Sequence, residues 1–304
     1  MKIVAQIHGY PPVHNAGGEY YVKNLFERMV ADGYDCNVIT EAKERYELNG
    51  VKVFPQVYRI EDEVLKGCDI IISHLARSGR ALNTAQYYKK KIAIIFHSTL
   101  TNFYLKNKQQ FIECIYNTEE TKRQMKLKDG FVLHPICKVP EVKRKPEYVT
   151  LINCNDNKGG NYLLKLAEAL PAVKFLGVTG GYGDQVTGTL PNVTYRSAMT
   201  DKKELYRDTK ILICPSKYES YSMTAVEAAM LDIPVICSEA QGFSESLGKD
   251  RLTIPLKDTF KWIETIYNLY NNRVNYSYDA RWIEKRQDCE YESFLVWLNK
   301  IVKK

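Results

Sequence analysis

The sequence predicts an α/β protein made of two parallel sheets, each with helices packed on its faces. Short apolar runs alternate with stretches of helical periodicity, and near-continuous apolar strands are typical of parallel sheets covered on both faces. The alternation stops once, in a stretch rich in proline and basic residues, and then begins again. The chain has 304 residues, which suits two domains of ordinary size better than one.

The first predicted domain comprises residues 1–140. Its first strand, at residues 2–7, ends in a proline-containing loop and leads into a helix from Glu19 to Ala31. The apolar residues of this helix recur at a spacing that places them on one face, as expected for a helix packed on a sheet. Further apolar strands are expected at residues 36–40, 69–74, 91–97 and 113–117.

A linker separates this domain from the second one. Residues 131–148 contain three prolines and a basic cluster at 143–145, and we assign the linker to residues 141–147. The second α/β domain comprises residues 148–281, and an amphipathic helix at residues 282–304 completes the chain. The strands of the second domain are expected at residues 148–154, 173–178, 192–197, 211–214 and 234–237, with a helix that ends at residue 170.

Composition and charge indicate an ordinary globular protein. Hydrophobic residues make up 45% of the chain and charged residues 26%. The net charge of +7 suits an anionic partner, but it does not distinguish a nucleic acid, a membrane surface or a sugar nucleotide. The eight cysteines include no C-x-x-C pair, so we expect reduced core thiols rather than disulfides or metal ligands. No apolar run is long enough for a membrane span, and we expect a cytoplasmic protein without stable membrane insertion.

The most informative stretch of the chain is PSKYESYSMTAVEAAMLDIP, residues 215–234. It contains two carboxylates, Glu219 and Glu227, in a predicted strand–loop–helix–strand unit. Ser222 is a candidate N-cap, because its hydroxyl can accept a hydrogen bond from an amide of the first helical turn. A helix N-terminus binds phosphate well, and the carboxyl ends of parallel strands are where ligands bind in open α/β sheets.

These residues resemble the retaining nucleotide-sugar glycosyltransferases of the GT-B fold, family 4 type (glycosyl transferases group 1). The resemblance implies that Glu219 contacts hydroxyls of the donor sugar and that Glu227 accepts hydrogen bonds from the ribose diol. It also implies that the backbone amides of Ser222, Met223 and Thr224 hold the diphosphate. Ser222 departs from the family, which has glycine at this position.

Three further stretches carry the resemblance. Gly17 and Gly18 precede the first helix, and in the family this loop faces the donor phosphates. Lys158, in a Lys-Gly-Gly turn after a strand, corresponds to a lysine that binds the diphosphate, but Asn153 stands where the family has a partner arginine. Arg196 lies in the stretch whose backbone meets the nucleobase in the family.

The resemblance covers nearly the whole chain and implies the GT-B fold, with two Rossmann-like domains facing a central cleft. In the family the last helix crosses back to the N-terminal domain; a plain packing helix is the alternative here. A histidine at the strand end occupied by His97 reaches the donor sugar in the family. Glu219 and His97 are therefore the candidate catalytic residues.

The implied reaction is transfer of a hexose from a UDP- or GDP-sugar to an acceptor hydroxyl, with retention. No cofactor and no metal ion are implied, because helix amides and lysine neutralise the diphosphate in this family. In addition, no His-x-x-x-His or Asp-x-Asp spacing is present. The acceptor can be a glycan, a lipid or modified DNA.

Two other functions stay open from the sequence alone. A phage-type glycosyltransferase of DNA bases is compatible with the excess of basic residues, with the lysine run at 89–91 and with the 22 tyrosines. A sugar-nucleotide binding protein that has lost activity is compatible with Asn153 and Ser222 in place of the family's arginine and glycine. Hydrolysis of the donor and the salt dependence of DNA binding distinguish these alternatives.

Overall fold

The computed structural model describes residues 1–98, 109–127, 129–180, 182–197 and 201–303. The chain divides into two compact units. Unit 1 consists of Met1–Ile136 and Arg286–Lys304, and unit 2 consists of Cys137–Lys285. Each unit has its own sheet and its own apolar core, and the predicted α/β class is confirmed.

Unit 1 is built on a sheet of eight strands among the described residues, in the order β3-β4-β2-β1-β5-β6-β7-β8. All neighbouring strands run parallel except β3 and β4, which form an antiparallel pair. The five strands predicted in this half are present, and the β3–β4 pair was not predicted. The strands are β1 (Lys2–Gln6), β2 (Asp35–Thr40), β3 (Tyr46–Leu48), β4 (Val51–Pro55), β5 (Ile70–His74), β6 (Lys91–Phe96), β7 (Glu113–Tyr116) and β8 (Phe131–Val132).

Helices cover both faces of this sheet, because successive strand residues point to opposite sides. Ile3 and Ala5 of β1 pack in one core cluster, whereas Val4 packs in another. The first cluster includes Leu25 and Phe26 of the first helix. The helices are α1 (Gly17–Ala31), α2 (Tyr58–Lys66), α3 (Ser78–Tyr88) and α4 (Glu119–Met125), with 3₁₀ turns at Leu75–Arg77 and Gln109–Phe111.

Unit 2 is built on a parallel sheet of six strands among the described residues, in the order β11-β10-β9-β12-β13-β14. The central strands β9 and β12 are neighbours, so the loops that follow them meet at one edge of the sheet. All five strands predicted for this half are present. The strands are β9 (Tyr148–Ile152), β10 (Phe175–Thr179), β11 (Val193–Ser197), β12 (Thr209–Cys214), β13 (Val235–Cys237) and β14 (Leu252–Thr253).

The second sheet is also covered on both faces. One core cluster contains Leu212 of β12, and the other contains Ile211 and Ile213 of the same strand together with the fully buried Trp262. The helices are α5 (Gly160–Ala169), α6 (Lys202–Arg207), α7 (Met223–Met230), α8 (Gly242–Leu247) and α9 (Thr259–Tyr270).

The last helix, α10 (Arg281–Lys303), begins in unit 2 and contributes its remaining residues to unit 1. Its side chains Phe294 and Leu298 are fully buried in the core of unit 1. The Tyr291 hydroxyl lies 2.5 Å from a carboxylate oxygen of Asp32, directly after α1. This helix therefore completes the core of unit 1 although unit 2 precedes it in sequence.

The cysteines are free thiols, as the sequence predicts, and Cys289 alone among the eight is exposed. Burial raises the pKa of Cys154 and Cys237 to about 11. Within the part of the chain that the structure describes, each helix is too short or too polar to cross a lipid bilayer.

Candidate functional site

The loop between β12 and α7 contains the predicted nucleotide-binding residues of unit 2. Ser222 is the residue before the helix and has a left-handed backbone conformation, with φ of +70°. This conformation favours glycine, which is the residue that the family has here. The Ser222 hydroxyl does not accept a hydrogen bond from a helix amide, so the predicted N-cap role is wrong.

The reason lies in the backbone. An N-cap side chain reaches the first-turn amides from an extended conformation, which Ser222 does not adopt. Its hydroxyl instead lies 3.5 Å from that of Thr224. The first amides of α7, from Met223 onward, have no acceptor within their own helix, as in any α-helix, so they remain suited to an anion.

Lys158 and Glu219 form an ion pair at the carboxyl edge of the second sheet. Lys158 lies in the turn after β9, and Glu219 lies in the loop after the neighbouring strand β12. Their side chains are only 18% and 8% exposed. Burial alone would lower the pKa of Lys158, but the charge of Glu219 and the hydrogen bond to it outweigh burial and raise the pKa to about 12. The lysine is therefore a permanent cation at this edge.

A small pocket lies between these two residues and the start of α7. Its polar lining is formed by Lys158, Ser216, Glu219, Ser222 and Thr224. The ends of the two central strands form its floor. The pocket thus combines one ammonium group, one carboxylate and a helix N-terminus.

Glu227, in the second turn of α7, is 3% exposed and paired at both oxygens. One oxygen forms an ion pair with Lys202. The other accepts a hydrogen bond of 2.8 Å from the hydroxyl of Tyr206. Burial, followed by the charge of Glu227, raises the pKa of Tyr206 well above its ordinary value. These partners were not predicted from the sequence, although Lys202 and Tyr206 are four residues apart on one face of α6.

Arg196 directs its side chain away from the carboxyl edge of the sheet. Its guanidinium lies 2.9 Å from Asp208, the residue before β12, and 5.5 Å from the ring centre of Tyr148, the first residue of β9. Both neighbours lie at the amino ends of their strands. The side chain of Arg196 is therefore used within unit 2, and a contact of its backbone with the nucleobase stays a prediction.

Asp208 is expected to make the unfolding free energy of unit 2 depend on pH in the acid range. The hydrogen bond from Arg207, with a second one from Arg196, lowers the pKa of Asp208 to about 2. A carboxyl whose pKa is lower in the folded state stabilises the fold above the unfolded pKa of about 3.9, and this contribution is lost as the pH falls through about 2. We expect Asp208→Asn to lower the unfolding free energy by about 2 kcal/mol at pH 7 and to flatten its pH dependence between about 4 and 2.

Urea unfolding followed by circular dichroism at several pH values measures this effect. Asp279→Asn is the matched control, since Asp279 also has a pKa lowered to about 2 by Arg281. That pair is exposed, at 58% and 88% of the side-chain surface, and exposed pairs contribute little. Equal losses in the two variants would contradict the role given to Asp208.

Asn153, where the family has an arginine, is a buried structural residue here. It directly follows β9, has a left-handed conformation with φ of +67° and is 8% exposed. Its side-chain amide lies 2.9 Å from that of Gln185. Gln185 in turn accepts hydrogen bonds from the backbone amides of Cys154 and Gly180, at 2.9 and 3.1 Å. Asn153 thus helps to position Gln185, which joins the ends of β9 and β10, and it supplies no positive charge.

In unit 1, Gly17 and Gly18 form the first turn of α1. A Cβ on Gly17 would meet nothing within 4 Å, whereas one on Gly18 would lie 3.2 Å from the ring of His74. The Nε2 atom of His97 lies 2.9 Å from Nδ1 of His74. Burial lowers the pKa of His97 to about 4 and that of His74 well below 6.5, so both rings are neutral at pH 7. The predicted residues of unit 1 therefore meet through His74, which the sequence analysis passed over.

The residues that could hold a metal ion also lie here. Nε2 of His8 is 3.2 Å from one Glu19 oxygen, and Nδ1 of His14 is 3.5 Å from the other. Nε2 of His74 is 3.9 Å from the first of these oxygens. Sequence reasoning missed Glu19 and His14, because the parts of the chain that meet here, residues 8–19, His74 and His97, are distant from one another in sequence. The available signal was that His8, His74 and His97 each end or follow a strand of the same sheet edge.

Residues 140–272 match the family described as glycosyl transferases group 1. Among curated relatives, the D-inositol 3-phosphate glycosyltransferase of Mycobacteroides abscessus is 29% identical over 128 residues, which cover 37% of this chain and 29% of that protein. This chain spans about half the length of one curated relative, at 56%, and less than a third of the other.

Solved structures resemble the whole chain. A mutant of S. aureus TarM in complex with fondaparinux, alpha-GlcNAc-glycerol and UDP has a TM-score of 0.71 at 12% identity, covering 98% of this chain and 99% of TarM. The Anabaena protein Alr3699/HepE in complex with UDP has a TM-score of 0.67 at 14% identity, covering 99% and 100%. The chain therefore has the predicted GT-B fold, and its residues 140–272 match the family model of the glycosyl transferases group 1.

Proposed function

We propose that this chain is a glycosyltransferase that moves a hexose from a nucleoside-diphosphate sugar to an acceptor hydroxyl. The transfer would retain the anomeric configuration and use no metal ion at the diphosphate. One observation carries the proposal: the Lys158–Glu219 pair lines a polar pocket beside the N-terminus of α7. Every residue that lines this pocket lies within the stretch that matches the family, residues 140–272.

Sugar transfer requires departure of a nucleoside diphosphate, so stabilisation of its negative charge is the main contribution the protein can make. Lys158 would supply one fixed positive charge, because its pKa of about 12 keeps it protonated at neutral pH. The amides of Ser222, Met223 and Thr224 would add the partial positive charge of a helix N-terminus. The Gly17–Gly18 turn would contribute further amides.

Glu227 would bind the nucleoside through the two hydroxyls of its ribose. A carboxylate that accepts from both hydroxyls of a diol forms strong, geometrically demanding hydrogen bonds. Both oxygens of Glu227 have protein partners, so ribose would share them with, or displace, Lys202 and Tyr206. Uridine is the first nucleoside to test, because two structures of similar fold were solved with UDP.

Glu219 and His97 would orient the sugar. The carboxylate of Glu219 can accept hydrogen bonds from sugar hydroxyls once the diphosphate attracts Lys158 away from it. Neutral His97 can donate or accept a hydrogen bond at one hydroxyl. We assign no residue as nucleophile, since attack from the same face as the leaving group retains configuration without one.

We propose a glycan hydroxyl as the acceptor and the cytoplasm, where reduced cysteines persist, as the compartment. The TarM complex contains sugar compounds as well as UDP, which favours a glycan among the acceptors left open by the sequence. Incubation with UDP-glucose, UDP-galactose, UDP-N-acetylglucosamine and GDP-mannose, with and without a panel of glycans, tests the activity by release of the nucleoside diphosphate. Proton NMR of the product tests retention. If no donor releases its nucleoside diphosphate, the proposal is contradicted, and the chain is better described as a sugar-nucleotide binding protein.

Nucleotide affinity provides a separate prediction. We expect Glu227→Gln to weaken UDP binding by about tenfold or more, because hydrogen bonds to a charged acceptor contribute about 1.5–3 kcal/mol. Isothermal titration calorimetry with UDP measures the change. The control is Glu264→Gln on α9, an exposed carboxylate paired with Lys261, which should bind UDP like the parent protein. Unchanged affinity in the Glu227 variant would show that the nucleoside binds elsewhere.

A further inference from the structure

Unit 1 contains a convergent group of side chains that the proposed transfer reaction does not use. Strands β1 and β5 are neighbours, and His8 and His74 lie at their carboxyl ends. Glu19, in the first turn of α1, directs its carboxylate between them. Each of these three residues offers one ligand atom, and the three ligand atoms lie within 4.8 Å of one another.

The group is buried and incompletely hydrogen-bonded. Glu19 is 1% exposed and His74 is fully buried. Among the described residues, neither carboxylate oxygen of Glu19 forms a hydrogen bond of acceptable geometry. Nε2 of His74 does not form one either. Leaving a buried carboxylate and a buried imidazole nitrogen without well-formed hydrogen bonds costs free energy, so the arrangement favours a bound species between them.

A hydrogen bond between His8 and Glu19 does not satisfy the whole group. It would leave Nε2 of His74 without a hydrogen bond. Nδ1 of His74 is 2.9 Å from Nε2 of His97. When Nδ1 donates to His97, the lone pair of Nε2 faces the Glu19 oxygen at 3.9 Å. A hydrogen bond that fixes one ring nitrogen while the other faces the ion is the usual arrangement of metal-binding histidines.

We propose that His8, Glu19 and His74 bind a divalent transition-metal ion such as Zn²⁺. Neutral imidazoles and a carboxylate are ligands that zinc accepts, and two histidines with one glutamate form a known type of three-ligand zinc site. Bonds of 2.0–2.2 Å place tetrahedral ligands about 3.3 Å apart. The His8–Glu19 distance of 3.2 Å meets this value, and the farthest pair must approach by about 1 Å or more. His8 can make that movement, since it is 30% exposed.

The fourth position has a candidate from the same loop. Nδ1 of His14 lies 3.5 Å from the second Glu19 oxygen, and its ring packs edge-on against His8 with centres 4.8 Å apart. A bound ion would therefore connect the loop after β1 with the first turn of α1 and the end of β5. No short sequence motif indicates this site, because its ligands come from three separate segments. The role is independent of the diphosphate contacts proposed for Lys158 and α7.

The test uses the full chain, stripped with a chelator and dialysed against metal-free buffer. Co²⁺ is titrated while the visible absorption of the protein-bound ion is recorded, and Zn²⁺ affinity is obtained by competition with a chromophoric chelator. We expect one ion per chain, and a melting temperature that rises with free Zn²⁺. Glu19→Gln, which keeps the shape and removes the charge, should weaken binding by about 100-fold or more and abolish the cobalt spectrum.

Two controls make the result decisive. His134→Gln removes the histidine outside the cluster, which pairs with Glu290 at 2.8 Å, and should retain the cobalt spectrum. His8→Gln is the second test, for use if Glu19→Gln does not fold. It alters the most accessible of the three ligands, so the variant should fold normally and lose zinc affinity. The proposal is overturned by absence of stoichiometric binding in the parent chain, or by equal affinity in folded Glu19→Gln or His8→Gln. One further pair of results overturns the proposal: zinc does not change the melting temperature of the parent protein, and Glu19→Gln lowers the melting temperature of the metal-free protein. Those results would indicate that Glu19 forms a simple ion pair.

Discussion

Lys158→Met is expected to destabilise unit 2 by about 3 kcal/mol, because it leaves the carboxylate of Glu219 buried without its partner. The two side chains are 18% and 8% exposed, so water replaces little of the lost interaction. We also expect turnover to fall by about 100-fold or more, since the variant lacks the cation proposed to stabilise the leaving diphosphate. Urea unfolding followed by circular dichroism measures the first effect, and donor turnover measures the second.

The double variant Lys158→Met/Glu219→Gln separates these effects. Removing both charges should restore most of the stability, because neither group is then left buried and unpaired. Turnover should stay as low as in the single variant. Lys217→Met is the control, since Lys217 pairs with Asp156 at an exposed position nearby and should change stability little. A double variant that is less stable than Lys158→Met alone would show that the pair is not coupled in the way described.

Gly242→Ala is expected to damage unit 2 at the loop that carries Glu219. A Cβ at this position, in the first turn of α8, would lie 2.4 Å from the carbonyl carbon of Ser220 and 2.5 Å from the backbone oxygen of Glu219. Backbone atoms cannot move aside as the end of a flexible side chain can, so the loop that carries Glu219 must shift. We expect a loss of about 3 kcal/mol in stability and a turnover that falls by about 100-fold.

The same measurements apply, with Ser244→Ala as the matched control. Ser244 lies on the same helix, is exposed and bonds only to the backbone oxygen of Gln241 among the contacts described, so its loss should change stability by about 0.5 kcal/mol or less. If Gly242→Ala keeps both stability and turnover, the loop tolerates displacement, and the position of Glu219 is less critical than proposed.

The sequence predicted the sheets better than their edges. Strands such as β5 and β12 are continuous apolar runs, and burial on both faces leaves few alternatives for such runs. The β3–β4 pair was missed because β3 is short and partly polar, although Asn49-Gly50 between the strands is a strong hairpin signal. Both turn residues have positive φ, at 50° and 81°, as a two-residue hairpin turn requires.

The site was predicted as a set of separate residues and not as a network. Lys158 and Glu219 are 61 residues apart, and nothing in their local sequence indicates that they pair. The same holds for Glu227 with Lys202 and Tyr206, and for Glu19 with its histidines. Such contacts depend on which strands are neighbours in each sheet, and spacing along the chain does not contain that information. The roles assigned to these residues in catalysis and binding stay predictions.

The course of α10 has a consequence for how the chain is made. Residues 286–303 belong to unit 1, yet a ribosome synthesises them after all of unit 2. Unit 2 is continuous in sequence and can fold while translation proceeds, whereas unit 1 lacks Phe294 and Leu298 until these later residues are synthesised. During that interval the apolar side chains of unit 1 that pack against Phe294 and Leu298 stay uncovered, and exposed apolar surface in an incomplete chain favours aggregation.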